Sequence, residues 1–316
     1  MFRTVAQWTL SSIALLLAVT GLTFVFASLA PGSAITAVLG NDTAATPEQY
    51  EQVKHQLGLD RPLPAQYWHW LSGLLRGDLG NGLFDGQPIT DALNARLGPS
   101  LSIILATLVV SGVLGIGVGV YSAVRGGVIG RLLDVVAITS FAIPNFWLAV
   151  VLIEVFAVQA GLFPATGYAP LATDPVRWAQ SIALPVITLS AAATSFLARQ
   201  TRDSMLRVLA KDFIVSLRAQ GLSNTSIIFK HALRNAAIPV VTALGLMFIG
   251  LLGGTVFIEN VFAIPGLGQV AVIAGVAHDL PKIEGIALYF AVFVIAVNLV
   301  VDVSYRVLNP RARAAR

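Results

Sequence analysis

Cysteine is absent from the 316 residues, so disulfide frameworks, thiolate metal sites and cysteine nucleophiles are excluded. Charge is scarce: Asp, Glu, Lys and Arg make up 11% of the chain, against about 25% in soluble domains. A soluble fold of this size lacks the charge to cover its surface, which excludes an ordinary cytosolic enzyme. The four histidines (His55, His69, His231 and His278) are scattered and form no His-Glu-x-x-His pair. No Gly-x-x-x-x-Gly-Lys-Ser/Thr sequence occurs, so the chain carries no phosphate-cradling loop of that type. What is present is apolar, with 56% hydrophobic residues and a mean hydropathy of +0.79. That composition excludes disorder and points to a polytopic integral membrane protein.

Six charge-poor runs of bilayer length predict an all-α membrane helix bundle: Leu10–Ala30, Leu101–Tyr121, Val135–Ala157, Ser181–Leu197, Pro239–Val261 and Ile286–Val307. They are continuous runs of helix length without the period-2 alternation of barrel strands. With the N-terminus inside, one side carries fourteen of the 20 Lys and Arg residues and the other six. The acids split the other way, with Asp134, Asp203, Asp212 and Asp302 inside, eleven outside, and Glu154 within a span. The positive-inside rule then puts both termini in the cytoplasm. The basic balance is thereby an orientation signal, with nucleic-acid binding a distant second reading. The first run exceeds the 7–15 apolar residues of a signal peptide, so it is expected to stay as a span.

Three regions follow: an N-terminal span over 1–30, an external insertion over 31–99, and a five-helix core over 100–316. Within the insertion, Thr46-Pro47-Glu48-Gln49 has the pattern of a capping box with Pro at the first helical position, and Gly58 can stop that helix. Pro64–Leu75, with Tyr67, Trp68 and Trp70 beside Leu71, Leu74 and Leu75, reads as a helix lying on the membrane in preference to a substrate lid. Ile89–Leu97 reads as a third helix leading into the second span.

The stretch 199–238 is the most unusual part of the expected inner side. It is basic and helical in pattern, with Gly221 able to end one helix and Ser223 able to cap the next. Phe213, Ile214 and Leu217 make one apolar stripe, and Ile227, Ile228 and Ala232 another. Such a stripe, if exposed, is either a membrane-surface helix or a docking surface. Gly115 with Gly119, and Gly250 with Gly254, have the spacing that lets helix backbones approach within a bundle. Gly115-Ile116-Gly117 is no dinucleotide fingerprint, because no strand precedes it. Asn145 beside Pro144, which should kink its helix, and Glu154 are pathway candidates. For Glu154 a wet lumen is favoured over a plain interfacial or protonated acid.

Arg218-Ala219-Gln220-Gly221, then His231-Ala232-Leu233-Arg234-Asn235-Ala236 and Pro239, resembles the "EAA" coupling loop of ABC importer permeases, in the version of the dipeptide/oligopeptide/nickel branch. Gly58-Leu59-Asp60-Arg61-Pro62-Leu63-Pro64-Ala65-Gln66-Tyr67 and Gly77-Asp78-Leu79-Gly80 resemble the external segment of that branch's first permease subunit. Ile143-Pro144-Asn145-Phe146-Trp147 is similar to its third-span pattern, and Glu259-Asn260-Val261-Phe262-Ala263-Ile264-Pro265-Gly266-Leu267-Gly268 to its motif after the fifth. Asn298-Leu299-Val300-Val301-Asp302, Tyr305 and Asn309-Pro310-Arg311 resemble its C-terminal signature. The chain departs from the pattern at Val215-Ser216-Leu217, where Glu-Ala-Ala is general, and at Arg234, where Pro is. Ser33 follows Pro31-Gly32 in place of Asp, and Asn309 also stands for Asp.

The resemblance implies a permease subunit forming half of a pathway for peptides or a similar small solute. Its implied partners are a second, related permease, two ABC ATPases and an external substrate-binding protein, in a bacterial inner membrane. It implies no cofactor in this chain, with ATP and Mg on the ATPases, and no nucleic acid. Arg218, Ala219, Gly221, Leu222, Ser223, His231, Arg234 and Asn235 would seat an ATPase. Glu259, Pro265, Gly266 and Gly268 would form an outer gate and contact the binding protein. Two other classes are weighed against this. A self-sufficient secondary carrier or channel would need coupling acids in its spans, where only Glu154 is expected. An intramembrane enzyme would need a His pair or an acid dyad.

Overall fold

The computed structural model describes residues 2–29, 35, 46–56 and 60–308. Gly58, Pro31-Gly32-Ser33 and Asn309-Pro310-Arg311 lie outside the described residues. Every regular element among the described residues is helical. The described chain begins with α1 (Phe2–Leu29), followed by the helices α2 (Pro47–Gln56) and α3 (Leu63–Leu74). α2 starts where the Thr46-Pro47 pattern predicts, and its first turn closes with the Tyr50 N–H donating to the Thr46 carbonyl at 3.1 Å.

Among the described residues five helices are long and apolar enough to cross a membrane, and the third expected span is divided. α4 runs unbroken over Ile89–Arg125, 37 residues. The separate helix expected over Ile89–Leu97 is therefore the first part of the second span. Pro99 removes one backbone hydrogen bond, but Ile89, Leu93, Ile103 and Ile104 are fully buried on either side of it, and that burial keeps the helix whole.

The single span expected over Val135–Ala157 is instead α5 (Gly127–Ala142), α6 (Asn145–Leu152) and a π-helical turn, Ile153–Gln159. Ile143 precedes a proline, which disfavours the helical region. It sits at φ −86°, ψ 118°, and Pro144 follows at ψ 132°. The local opening that Pro144 implies is therefore a complete break.

α7 (Pro175–Leu209) is capped by Asp174, whose carboxylate accepts the Arg177 N–H at 2.9 Å, with Pro175 at the first helical position. It outruns the expected Ser181–Leu197 at both ends. α8 (Asp212–Ala219) leads through a short turn and a second π segment, Ile227–Ala232, into α9 (Leu233–Val261). α10 (Leu267–Ala277) and α11 (Leu280–Leu308) complete the described chain.

The helices fall into two compact units, 1–98 with 265–295, and 99–264 with 296–316. In the first, Leu79, Ile89, Leu93, Leu267, Ala274, Ile286 and Leu288 form the core. α3 is pinned to α1 there: the Tyr67 hydroxyl is 2.9 Å from the Thr20 hydroxyl, and its ring meets Phe24 edge-on at 5.7 Å. Trp68, on the other side of α3, is 64% exposed. In the second unit α7 packs against α5, α6 and α9. Gly115 and Gly119 abut α7, as the small-residue spacing predicts. The pair Gly250 and Gly254 makes no comparable approach: nothing lies within 4 Å of a Cβ at Gly250, and only Leu189 Cδ2, at 3.7 Å, near one at Gly254.

Candidate functional site

The elbow at Gly221 is built by its own sequence. α8 ends in a Schellman turn: the Gly221 N–H donates to the Arg218 carbonyl at 3.0 Å and the Leu222 N–H to the Leu217 carbonyl at 3.3 Å. Gly221 is at φ +77°, a left-handed position that a side chain strains. Leu217 and Leu222 both pack on one cluster, the apolar contact that accompanies this turn. Ser223 then caps the next turn, accepting the Ser226 N–H at 3.3 Å. Beyond it the π segment widens the helix, and the Leu233 N–H reaches back five residues to the Ile228 carbonyl.

The apolar stripes face inward except for Phe213, which is exposed. Ile214, Ile227 and Ala232 are buried with Val120, Ala123, Met205, Val208 and Ala236, while Leu217 and Ile228 pack against them. This corrects the expectation of an exposed stripe; the stripes hold the elbow onto α4 and α7. Arg218, Ala219, Gly221, Ser223, Arg234 and Asn235 are left exposed, Leu222 and His231 half-buried. The Asn235 side-chain amide donates to the His231 carbonyl at 2.7 Å, tying the end of the elbow to the root of α9. Val215 (63% exposed) and Phe229 (61%) complete the outward apolar surface. Their positions outside the 3.6-residue stripes were the available signal for them.

At the end of α9 a second Schellman turn forms without glycine. Ala263 sits at φ +49°, its N–H donating to the Asn260 carbonyl at 3.3 Å and the Ile264 N–H to the Glu259 carbonyl at 2.8 Å. Glu259 has no solvent exposure, and its carboxylate accepts the Ser100 hydroxyl at 2.6 Å. Gly266 and Gly268 are buried and Pro265 half-buried. The boundary between the two units falls at Ile264–Pro265, inside the motif.

Asn145 is half-buried in the first turn of α6, next to the break. Glu154 is exposed in the π-helical turn and accepts the Gln159 side-chain amide at 3.1 Å. The expectation that Glu154 alone lies within a span needs correction. Glu259 and Glu284 also lie inside the long apolar helices α9 and α11, and both are buried. Glu259 falls inside the expected run Pro239–Val261, and Glu284 lies just before the run Ile286–Val307, in the second turn of α11.

An ionic clasp also escaped sequence reasoning, since Asp85 and Lys282 are 197 residues apart. Lys282 Nζ is 2.7 Å from Asp85 and 3.4 Å from the buried Asp279 carboxylate, which also accepts the Leu83 N–H at 3.2 Å. The hydrogen bond from Lys282 holds Asp85 below its ordinary carboxylate value of 3.8. A lowered folded-state value contributes stability that is present above the ordinary value and is lost as pH falls through the folded one. Lys282→Met is therefore expected to cost about 1 kcal/mol at neutral pH, because Asp85 is 42% exposed and solvent screens its charge-assisted bond. Thermal unfolding in detergent should show the deficit at pH 7 and a smaller one near pH 3; an equal deficit at both counts against the clasp.

Residues 115–314 match the family described as "Binding-protein-dependent transport system inner membrane component", and residues 1–87 match its N-terminal companion family. A putative peptide transport system permease protein of Brucella abortus is 36% identical over 303 residues, 96% of each chain. The glutathione transport system permease protein GsiC of Escherichia coli K12 is 38% identical over 314 residues, 99% of each. An inward-facing structure of the MetNI methionine ABC transporter shares the fold: TM-score 0.57 at 21% identity, over 71% of this chain and 99% of that one. The chain thus belongs to the binding-protein-dependent transport system inner membrane component family, as a permease subunit of an ABC importer.

Proposed function

We propose that this chain pairs with a second, related permease to line a path for di- or oligopeptides or a similar small solute across a bacterial inner membrane. An external binding protein delivers the solute, and two ATPases, which carry ATP and Mg, drive the cycle from the cytoplasm. Both termini face the cytoplasm, in line with the Lys and Arg asymmetry. The observation that carries this reading is the Gly221 elbow: Arg218, Ala219, Gly221, Ser223, Arg234 and Asn235 stand outward, while Ile214, Ile227 and Ala232 fasten the elbow to the span helices. Leu222 and His231 back that seat. Motion of a docked ATPase then passes to α4, α7 and α9 through packed side chains.

Glu259, Pro265, Gly266 and Gly268 brace the outer gate, and the exposed Ala263 turn meets the binding protein. Asn145, at the broken third span, and Glu154 line the path. Irregular backbone at such depth is tolerated where it borders protein or water. The peptide assignment draws on the relatives described as peptide and glutathione permeases. The test is reconstitution in proteoliposomes. Labelled dipeptide uptake is expected only with both permeases, both ATPases, binding protein and ATP. Uptake by this chain alone would support the carrier reading and overturn this one.

A further inference from the structure

The strongest feature left unexplained lies wholly within the first unit. A cavity of about 440 Å³ is lined by Phe24 of α1, Trp70 of α3, Arg61, Asp78 and Leu79 of the external segment, and Glu284 in the second turn of α11. Its volume falls within the range of small-molecule pockets. Glu284 is 1% exposed, and neither of its carboxylate oxygens has a hydrogen-bond partner. The Trp70 indole N–H, also buried, has no acceptor. Two unpaired polar groups on one cavity are a specific exception to the rule that buried polar atoms are satisfied. A buried carboxylate that receives no hydrogen bond is among the costliest burials a fold can contain, and Arg61, His55 and His69, which line the same cavity, do not bond it.

The missing partner can be described from the walls. Glu284 needs a cation that brings N–H donors, and the Trp70 N–H needs an acceptor close to that cation. A metal ion is poorly served, because the described residues hold no group of three or more His, Cys, Asp or Glu. Asp78 is already engaged, accepting the Gly80 N–H at 2.8 Å. Phe24, Leu79 and the Trp70 ring, which stacks on Tyr67 at 6.0 Å, supply an apolar and aromatic wall suited to an organic stem. A primary ammonium beside a carbonyl meets each of these needs.

We propose that this cavity binds a primary ammonium group, with Glu284 as its counter-ion and Trp70 donating to a neighbouring carbonyl. That chemistry is offered by a free amino-terminal solute and by a lysine side chain of a docked external protein. The proposal rests on the cavity and is independent of the transport reading, because binding can be measured without ATP or the other subunits.

The test is equilibrium dialysis of radiolabelled glycinamide against the full chain in detergent, with N-acetylglycinamide, which lacks the ammonium, as control. Wild type should bind glycinamide saturably and ignore the acetylated form. Glu284→Gln, which keeps the shape of the side chain, should weaken binding at least tenfold, and Glu284→Asp should retain part of it. Absence of saturable binding to wild type, or equal affinity in Glu284→Gln, overturns the proposal. Once that binding is established, docking of the external binding protein identifies the source. Docking lost with Glu284→Gln assigns the ammonium to that protein's lysine; docking unchanged assigns it to a free solute.

Discussion

Replacing Gly221 by Pro is expected to reduce ATP-driven uptake by the assembled transporter roughly tenfold or more, with the permease still folded in the membrane. Two physical effects converge at that position. Proline fixes φ near −65°, whereas Gly221 sits at +77°, and it removes the N–H that donates to the Arg218 carbonyl. The Schellman turn cannot form, so Leu222 loses its place beside Leu217 and the outward residues on either side of the elbow lose their spacing. About 1.4 kcal/mol of lost coupling would account for a tenfold effect, less than the ~3 kcal/mol that a misplaced proline costs. The buried anchors Ile214, Ile227 and Ala232 lie on the flanking helical turns, which is why insertion and global folding should survive. Asn tolerates the left-handed region better than other side chains, so Gly221→Asn should retain most uptake, and Gly221→Ala should fall between Asn and Pro. Arg218→Glu tests the same surface by charge: it is exposed, so folding should be unchanged while ATPase binding weakens. Wild-type uptake by Gly221→Pro with both ATPases bound would remove the elbow from the coupling route.

Local signals in the sequence were sufficient for this elbow because its geometry depends on neighbours. A glycine at a helix end and a serine two residues later specify the turn and the cap whatever surrounds them. The same holds for Thr46-Pro47 at the start of α2 and for the break at Ile143-Pro144. What sequence could not show was which way an amphipathic face points. Phe213, Ile214 and Leu217 have the same spacing whether the stripe meets lipid, a partner or the chain's own helices, and Val120, Met205 and Val208 decide the matter from distant positions. Burial of acids was equally hidden. Glu259 sits near the end of the expected run Pro239–Val261 and Glu284 just before the run Ile286–Val307, positions that give no sign of burial, yet both are enclosed within α9 and α11. Glu259 meets Ser100, and Lys282 meets Asp85, across 159 and 197 residues. No periodicity links positions so far apart. The site is thus legible where it is local, at the elbow, and illegible where it depends on tertiary pairing.

Gly119→Ala is expected to cause the largest loss of folded protein of any single methyl addition to α4. A Cβ at Gly119 would lie 2.5 Å from the Ala198 carbonyl oxygen and 2.6 Å from Thr201 Cβ. Neither obstacle can turn aside: Thr201 Cβ is fixed to its own backbone and the Ala198 oxygen is main chain in the middle of α7, so relief requires the two helices to separate. Separation would open the contact at Gly115 as well, where a Cβ would already be 2.9 Å from Leu197 Cβ. Overpacking of a tight core costs about 1–3 kcal/mol, and more when backbone is the obstacle. The opposite face provides the control. Nothing lies within 4 Å of a Cβ at Gly117, so Gly117→Ala gains only helix propensity, about 0.5–1 kcal/mol in favour of the fold. The two substitutions add the same atom, two residues apart, with opposite expected signs. Size-exclusion yield and thermal unfolding in one detergent should therefore rank Gly117→Ala at or above wild type and Gly119→Ala far below it. Equal stability of the two variants would mean that α4 and α7 are not in backbone contact along this seam. A graded loss, with Gly115→Ala between them, would show that the packing tightens towards Gly119.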